Sequence, residues 1–175
     1  KKLERRLEKS APEECEFLKA IEPILEKAVS DCRDVSRILH SPELERHGLP
    51  EALKDLASYT QSYFHIPCEL RLAGSFHAAK GEGWEHLYRI AKEAVHNSVK
   101  HARPGRIQID LSLSNGHLSL SVADDGVGMP DTPAPAEGLG MRIMSYRARM
   151  IGGTLEIKRN EPRGTRVTCV MPQEK

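Results

Sequence analysis

Over residues 107–122 the chain alternates without a break: Ile107, Ile109, Leu111 and Leu113, then Asn115-Gly116, then Leu118, Leu120 and Val122. A period of two puts every apolar side chain on one face of a strand. Asn-Gly between two such runs is a strong signal for a tight hairpin. Each strand therefore offers one apolar face that must be covered. A cover lies just upstream, where Leu87, Ile90, Ala91, Ala94, Val95 and Val99 fall on one arc at about 100° per residue. The pattern predicts a helix over residues 82–102, ended by Arg103-Pro104-Gly105, and laid on an antiparallel-rich sheet.

Other segments fit the same architecture. Residues 50–64 read as a helix opened by proline, with Leu53, Leu56 and Ala57 inward. Residues 68–72 alternate as a short strand. Residues 130–137 are a Pro-rich loop. A helix over residues 139–151 leads through Gly152-Gly153 to two strands, 154–158 and 166–171. The fold class expected is α+β, a two-layer α/β sandwich with a mixed sheet, rather than alternating βαβ units. Residues 1–47 differ: they are highly charged, and Phe17, Ile21, Ile24, Ala28, Cys32, Val35 and Leu39 recur at spacings of three and four. That is the seam of a helical hairpin with a turn at Ser10-Ala11-Pro12. Such a pair buries little area alone, so dimerisation into a bundle is its expected completion. His47-Gly48-Leu49-Pro50 marks the boundary, giving domains 1–47 and 48–175.

Charge narrows the function. Twenty-six Lys and Arg against 25 Asp and Glu leave no bulk electrostatic case for nucleic acid or an anionic membrane. No apolar run approaches a bilayer-spanning length. The four cysteines, Cys15, Cys32, Cys68 and Cys169, lack CxxC spacing, which suits reduced residues of a cytoplasmic protein better than zinc or disulfides. The chain begins at Lys1 and reads as a piece of a longer protein, whose remainder leaves room for a membrane anchor.

Four polar motifs interrupt the apolar pattern. On the helix flank stand Glu93, Asn97, Lys100 and His101. The Asn97 oxygen suits Mg²⁺, which keeps several waters and shares phosphate oxygens; Glu93 is placed to accept a proton or orient a nucleophile, and Lys100 and His101 to face phosphate. A plain solvated helix face is the competing reading. Asp124-Asp125-Gly126-Val127-Gly128 follows the second hairpin strand. There a carboxylate can accept from an exocyclic amine such as that of adenine, and alternate glycines let backbone approach a base. A simple turn is its rival, as is a calcium loop, though the further acidic positions of the latter are missing. Gly138-Leu139-Gly140-Met141 precedes a helix whose exposed N–H groups suit phosphate, with mere capping as the alternative; no Walker loop or GxGxxG occurs. Gly164-Thr165 opens the last strand and offers a hydroxyl, or only a β-turn.

In this order the motifs resemble the N, G1, G2 and G3 boxes of the ATP-binding catalytic domain of sensor histidine kinases, within the GHKL (Bergerat) superfamily shared with Hsp90, gyrase B and MutL. The wording around Glu93–Ala102 and Gly138–Ala148, and the short lid, are similar to the nitrate-sensor (NarX/DesK-like) class. The resemblance covers residues 50–172 and extends more weakly through Arg33, Arg37, His40 and Leu44. It implies ATP and Mg as ligands, with Mg²⁺ on Asn97, Glu93 assisting the attacking imidazole and Asp124 on adenine. Gly126, Gly128, Gly138 and Gly140 would shape pocket and lid, with Thr165 near the nucleotide. It also implies a homodimer through the hairpin and a response regulator as partner.

One feature departs from that family. Its phosphorylated histidine lies in the first dimerisation helix before an acidic residue, and nothing here matches. His40 is in the second helix, followed by Ser41-Pro42. The acceptor is thus expected upstream of Lys1, and the chain alone is expected not to autophosphorylate. Two other functions stay open: an anti-sigma-factor-like serine kinase, and a module that binds ATP and dimerises without transferring phosphate.

Overall fold

The computed structural model describes residues 42–76, 83–128 and 138–172. The chain divides into two compact units, Lys1–Ser41 and Pro42–Lys175. All described residues belong to the second, so the hairpin seam, His40, Cys15 and Cys32 lie outside them, as does the Pro-rich loop within the second unit.

The second unit opens with a short helix, α1 (Pro42–His47). Gly48, at φ 84°, separates it from α2 (Leu49–Phe64), which has proline at its start. A strand, β1 (Cys68–Ala73), precedes the long helix α3 (Gly83–Asn97). The final turn of that helix, Ser98–Ala102, widens to π geometry. The alternating stretch forms β2 (Ile107–Ser114) and β3 (His117–Asp124). Helix α4 (Leu139–Met150) and strands β4 (Thr154–Arg159) and β5 (Thr165–Pro172) complete the domain.

The strands make one sheet in the order β1-β2-β3-β5-β4, parallel only between β1 and β2. The mixed, antiparallel-rich sheet read from the sequence is therefore present. At its centre Ser114 pairs with His117, leaving Asn115 and Gly116 as a two-residue loop. Both have positive φ, 52° and 71°, as a type I′ turn requires. Helices cover one face: Leu53 of α2 and Leu87 and Ile90 of α3 are buried with Ile107, Ile109, Leu111, Leu120 and Cys169 of the sheet. Each fully buried Leu or Ile contributes roughly 1.5–3 kcal/mol. The other face stays polar. Along one register it carries Arg71, Asp110, Ser121, Thr168 and Glu156, the alternation expected of a sheet wet on one side.

Burial pushes the thiols of Cys68 and Cys169 up to about 11, so both stay protonated and inert at neutral pH. Among the described residues no helix is long and apolar enough to cross a membrane.

Candidate nucleotide site

The four motifs fall into two groups along α3 and its final turn. Asp124, the last residue of β3, is 2% exposed. Its Oδ1 accepts from the backbone N–H of Gly126 (2.9 Å) and of Thr165 (3.2 Å), and its Oδ2 from the Ser98 hydroxyl (2.9 Å). The residue's own carbonyl accepts from the Asn160 amide at 2.8 Å, and Asn160 in turn accepts from Arg166 at 3.1 Å. Asp124 thus ties the end of α3 to the strand pair β3–β5. A buried carboxylate left unpaired would be costly, and three donors remove that cost.

The backbone around it leaves no room for side chains. Val127 N–H donates to the Ala102 carbonyl at 2.9 Å, which draws the glycine motif against the π turn. A Cβ on Gly126 would strike that same carbonyl, and one on Gly128 would stand 2.9 Å from the Gly164 carbonyl oxygen. Gly164, at φ 107°, is the tightest: a Cβ there would run into the Asp124 carbonyl. Thr165 is half-buried beside this turn, with its N–H on Asp124.

The N-terminus of α4 meets the middle of α3. A methyl group on Gly140 would overlap the Glu93 carboxylate and lie 3.5 Å from the Asn97 amide nitrogen. Glu93 and Asn97 are half-buried, with no hydrogen bond of their own among the described residues. Gly138 caps α4 without a side-chain bond; Leu139 is exposed and Met141 packs against the core. Two turns farther on, Arg147 lies in the field of Glu93, Glu85 and Arg89. Burial, then the Arg89 charge, holds its guanidinium below the ordinary arginine value. Burial, then the Arg147 charge, likewise lowers His86 below the ordinary histidine value. Lys100 and His101, on the π turn, are exposed.

Of the residues expected from the sequence, the structure brings Glu93, Asn97 and Gly140 into one group, and Asp124, Gly126, Gly128 and Thr165 into another. Asp125 does something separate: its Oδ1 accepts from Gly105 N–H (2.7 Å) and Arg106 N–H (2.9 Å), closing the loop after α3. Partial burial raises its pKa, but those backbone donors outweigh it and hold the carboxyl below the usual range. Ser98 and Asn160 escaped the sequence reading. Ser98 had a signal, because it falls four residues after Ala94 and seven after Ala91, inside the apolar arc. Asn160, in a hairpin turn, had none.

The profile of the histidine kinase-, DNA gyrase B- and HSP90-like ATPases matches residues 83–175. The chain belongs to that family. It is 29% identical over 155 residues to the oxygen sensor histidine kinase NreB of Staphylococcus carnosus, covering 88% of this chain and 45% of that protein. It is 30% identical over 139 residues to the nitrate/nitrite sensor protein NarX of Escherichia coli K12, covering 76% and 22%. Among solved structures, the histidine kinase domain of the blue-light activated kinase EL346 of Erythrobacter litoralis aligns with a TM-score of 0.58 at 26% identity, over 71% of this chain and 60% of that one. The chain therefore spans less than half the length of the curated relatives named here.

The residues present fit an adenine nucleotide. Asp124 retains acceptor capacity on Oδ2, and the glycines let the backbone segments around it pack closer than any Cβ would allow. Among the described residues no cluster of His, Cys, Asp or Glu could hold a metal alone. Asn97 beside Glu93 instead suits an ion that shares its shell with phosphate oxygens and water.

Proposed function

We propose that this chain is the ATP-binding catalytic part of a sensor histidine kinase, passing the γ-phosphoryl of ATP to a histidine and then to an aspartate of a response regulator. The observation that carries the reading is the buried Asp124 carboxylate, fixed by Ser98, Gly126 and Thr165 with one acceptor position to spare. The likeness to NreB, an oxygen sensor histidine kinase, supports the same conclusion. In this reading residues 1–47 belong to a dimerisation hairpin, residues 48–175 form the catalytic domain, and the enzyme is a cytoplasmic-facing homodimer.

The division of labour follows from position. Asp124 accepts from the base amine, while the glycine-lined backbone of residues 126–128 and 164 approaches the ring. The first turn of α4, a helix of 12 residues, turns its free N–H groups and positive dipole end toward phosphate. Asn97 holds the magnesium ion, which when bound neutralises charge on the phosphoryl group in transfer. Glu93 orients the incoming imidazole or takes its proton, and Lys100 and His101 supply positive charge at the rim. Most of the catalysis is then positioning.

Calorimetry with Mg-ATP tests the site. Asp124→Asn should weaken binding by about 1–3 kcal/mol, roughly tenfold or more, because a buried donor loses its acceptor. Unchanged affinity would remove adenine recognition from Asp124. Asn97→Ala should abolish the magnesium dependence of binding while the melting temperature stays near the parent's; the reverse pattern would make Asn97 structural. The transfer itself is read with labelled ATP and a supplied helix that carries an acceptor histidine. Acid-labile label on histidine is expected; label on a partner's serine, or none, would favour the serine kinase or the non-catalytic module.

A further inference from the structure

The Ser98 hydroxyl is buried, and it lies within reach of two acceptors, Asp124 Oδ2 at 2.9 Å and the Ala94 carbonyl at 3.1 Å. It has one proton to give. Sent to Ala94, the proton would leave a hydroxyl lone pair facing a carboxylate oxygen, two acceptors in contact. Sent to Asp124, it makes a charge-assisted bond, the stronger kind. The bond to the carboxylate is therefore the one that holds.

That bond decides which part of Asp124 is free. A carboxylate has about four acceptor positions. Oδ1 is filled by the N–H groups of Gly126 and Thr165, and one position of Oδ2 by Ser98. A single acceptor position on Oδ2 remains. Its direction is set by the hydroxyl, which sits on the widened turn directly after Asn97. We propose that Ser98 is a positioning residue for base discrimination: it fixes Oδ2 so that the free acceptor favours a purine bearing an exocyclic amine over one bearing a carbonyl at that place. The inference rests on the reading of Asp124 as the base-binding residue and adds to it the group that aims it.

The test is calorimetric titration of the whole chain with Mg-ATP and with Mg-ITP, whose base carries a carbonyl where adenine carries the amine. The parent should prefer ATP. In Ser98→Ala, ATP affinity should fall by about fivefold, the worth of one hydrogen bond, while ITP affinity moves by less than about twofold. The ATP/ITP ratio then drops. A residue with a merely structural role would weaken both nucleotides alike, so an unchanged ratio overturns the proposal. If the alanine variant fails to fold, Ser98→Cys is read by the same ratio. Its thiol has nearly the same shape and is a weaker donor, so a ratio equal to the parent's overturns the proposal there too. Asp124→Asn separates the two levels. If it leaves the ratio untouched, the assignment of Asp124 itself fails. If it collapses the ratio while Ser98→Ala does not, only the role of Ser98 fails.

Discussion

The two ends of the site are built on opposite principles. At the Asp124 end the polar groups are tied to one another, with one acceptor position of Oδ2 left over: three donors on the carboxylate, Asn160 on the carbonyl, Arg166 behind Asn160. At the Glu93 end the side chains stand half-buried, without hydrogen bonds among the described residues, and are limited only by the absent side chain of Gly140. A closed network in a dry place gains stiffness, since each bond constrains the next. An open pair of polar groups holds nothing in place, but it can meet a ligand without first breaking bonds. The first end suits a part of the ligand that never changes, and the second a part that reacts.

This contrast predicts that damage at one end costs the fold and damage at the other costs function. The largest effect should follow Gly164→Ala. The residue would carry a side chain at φ 107° and into the Asp124 carbonyl, for a loss of about 3 kcal/mol or more in stability. A urea midpoint within error of the parent's would show the network to be softer than described. Gly140→Ala should do the opposite. Its methyl group meets the flexible Glu93 side chain, so stability should change by no more than about 0.5 kcal/mol, as away from packed features. Mg-ATP binding should weaken clearly, because the displaced carboxylate enters the space of the phosphates. A stable variant with full affinity would dissolve the contrast.

A third prediction concerns Asp125, outside both ends, where neither the network nor the ligand is involved. Its carboxyl is held below the ordinary range by Gly105 and Arg106 N–H groups. A lowered folded-state pKa stabilises above the unfolded value, near 3.9, and that contribution fades as pH falls through the folded value. Asp125→Ala should therefore cost about 1 kcal/mol at pH 7, in line with two exposed hydrogen bonds. The deficit should shrink toward pH 3. A pH-independent deficit would place the cause in packing instead.

Much of the fold was legible because its signals are local. Alternation gave β2 and β3, Asn115-Gly116 gave the turn, and the 3.6 period gave α3. What local signals could not give is contact between distant segments: Thr165 lies 41 residues from Asp124, and Asn160 lies 36. The widened turn was also hidden. A continuous helix through Ala102 was expected, whereas α geometry stops at Asn97. The apolar arc does run on to Val99, which is half-buried against the core, and Ser98 beside it is buried more deeply. A serine inside an apolar arc is a polar group in a dry place, and its burial implies a buried partner.

Asp124 and Asp125 are neighbours of identical chemistry that do unrelated work, the first inside the domain and the second at its surface. Asp124 closes β3 on its buried face and Asp125 lies just past the strand's end, so the register of β3 decides which of the two enters the pocket. A slip of one residue would offer the pocket a carboxylate all the same, and the error would be invisible to the motif itself. The guard against it lies elsewhere in the strand. Leu118, Leu120 and Val122 are buried, and the same slip would turn all three toward water. The hydrophobic alternation that first marked this stretch as a strand is thus also its proofreading device, choosing which of two equivalent acids becomes the functional one.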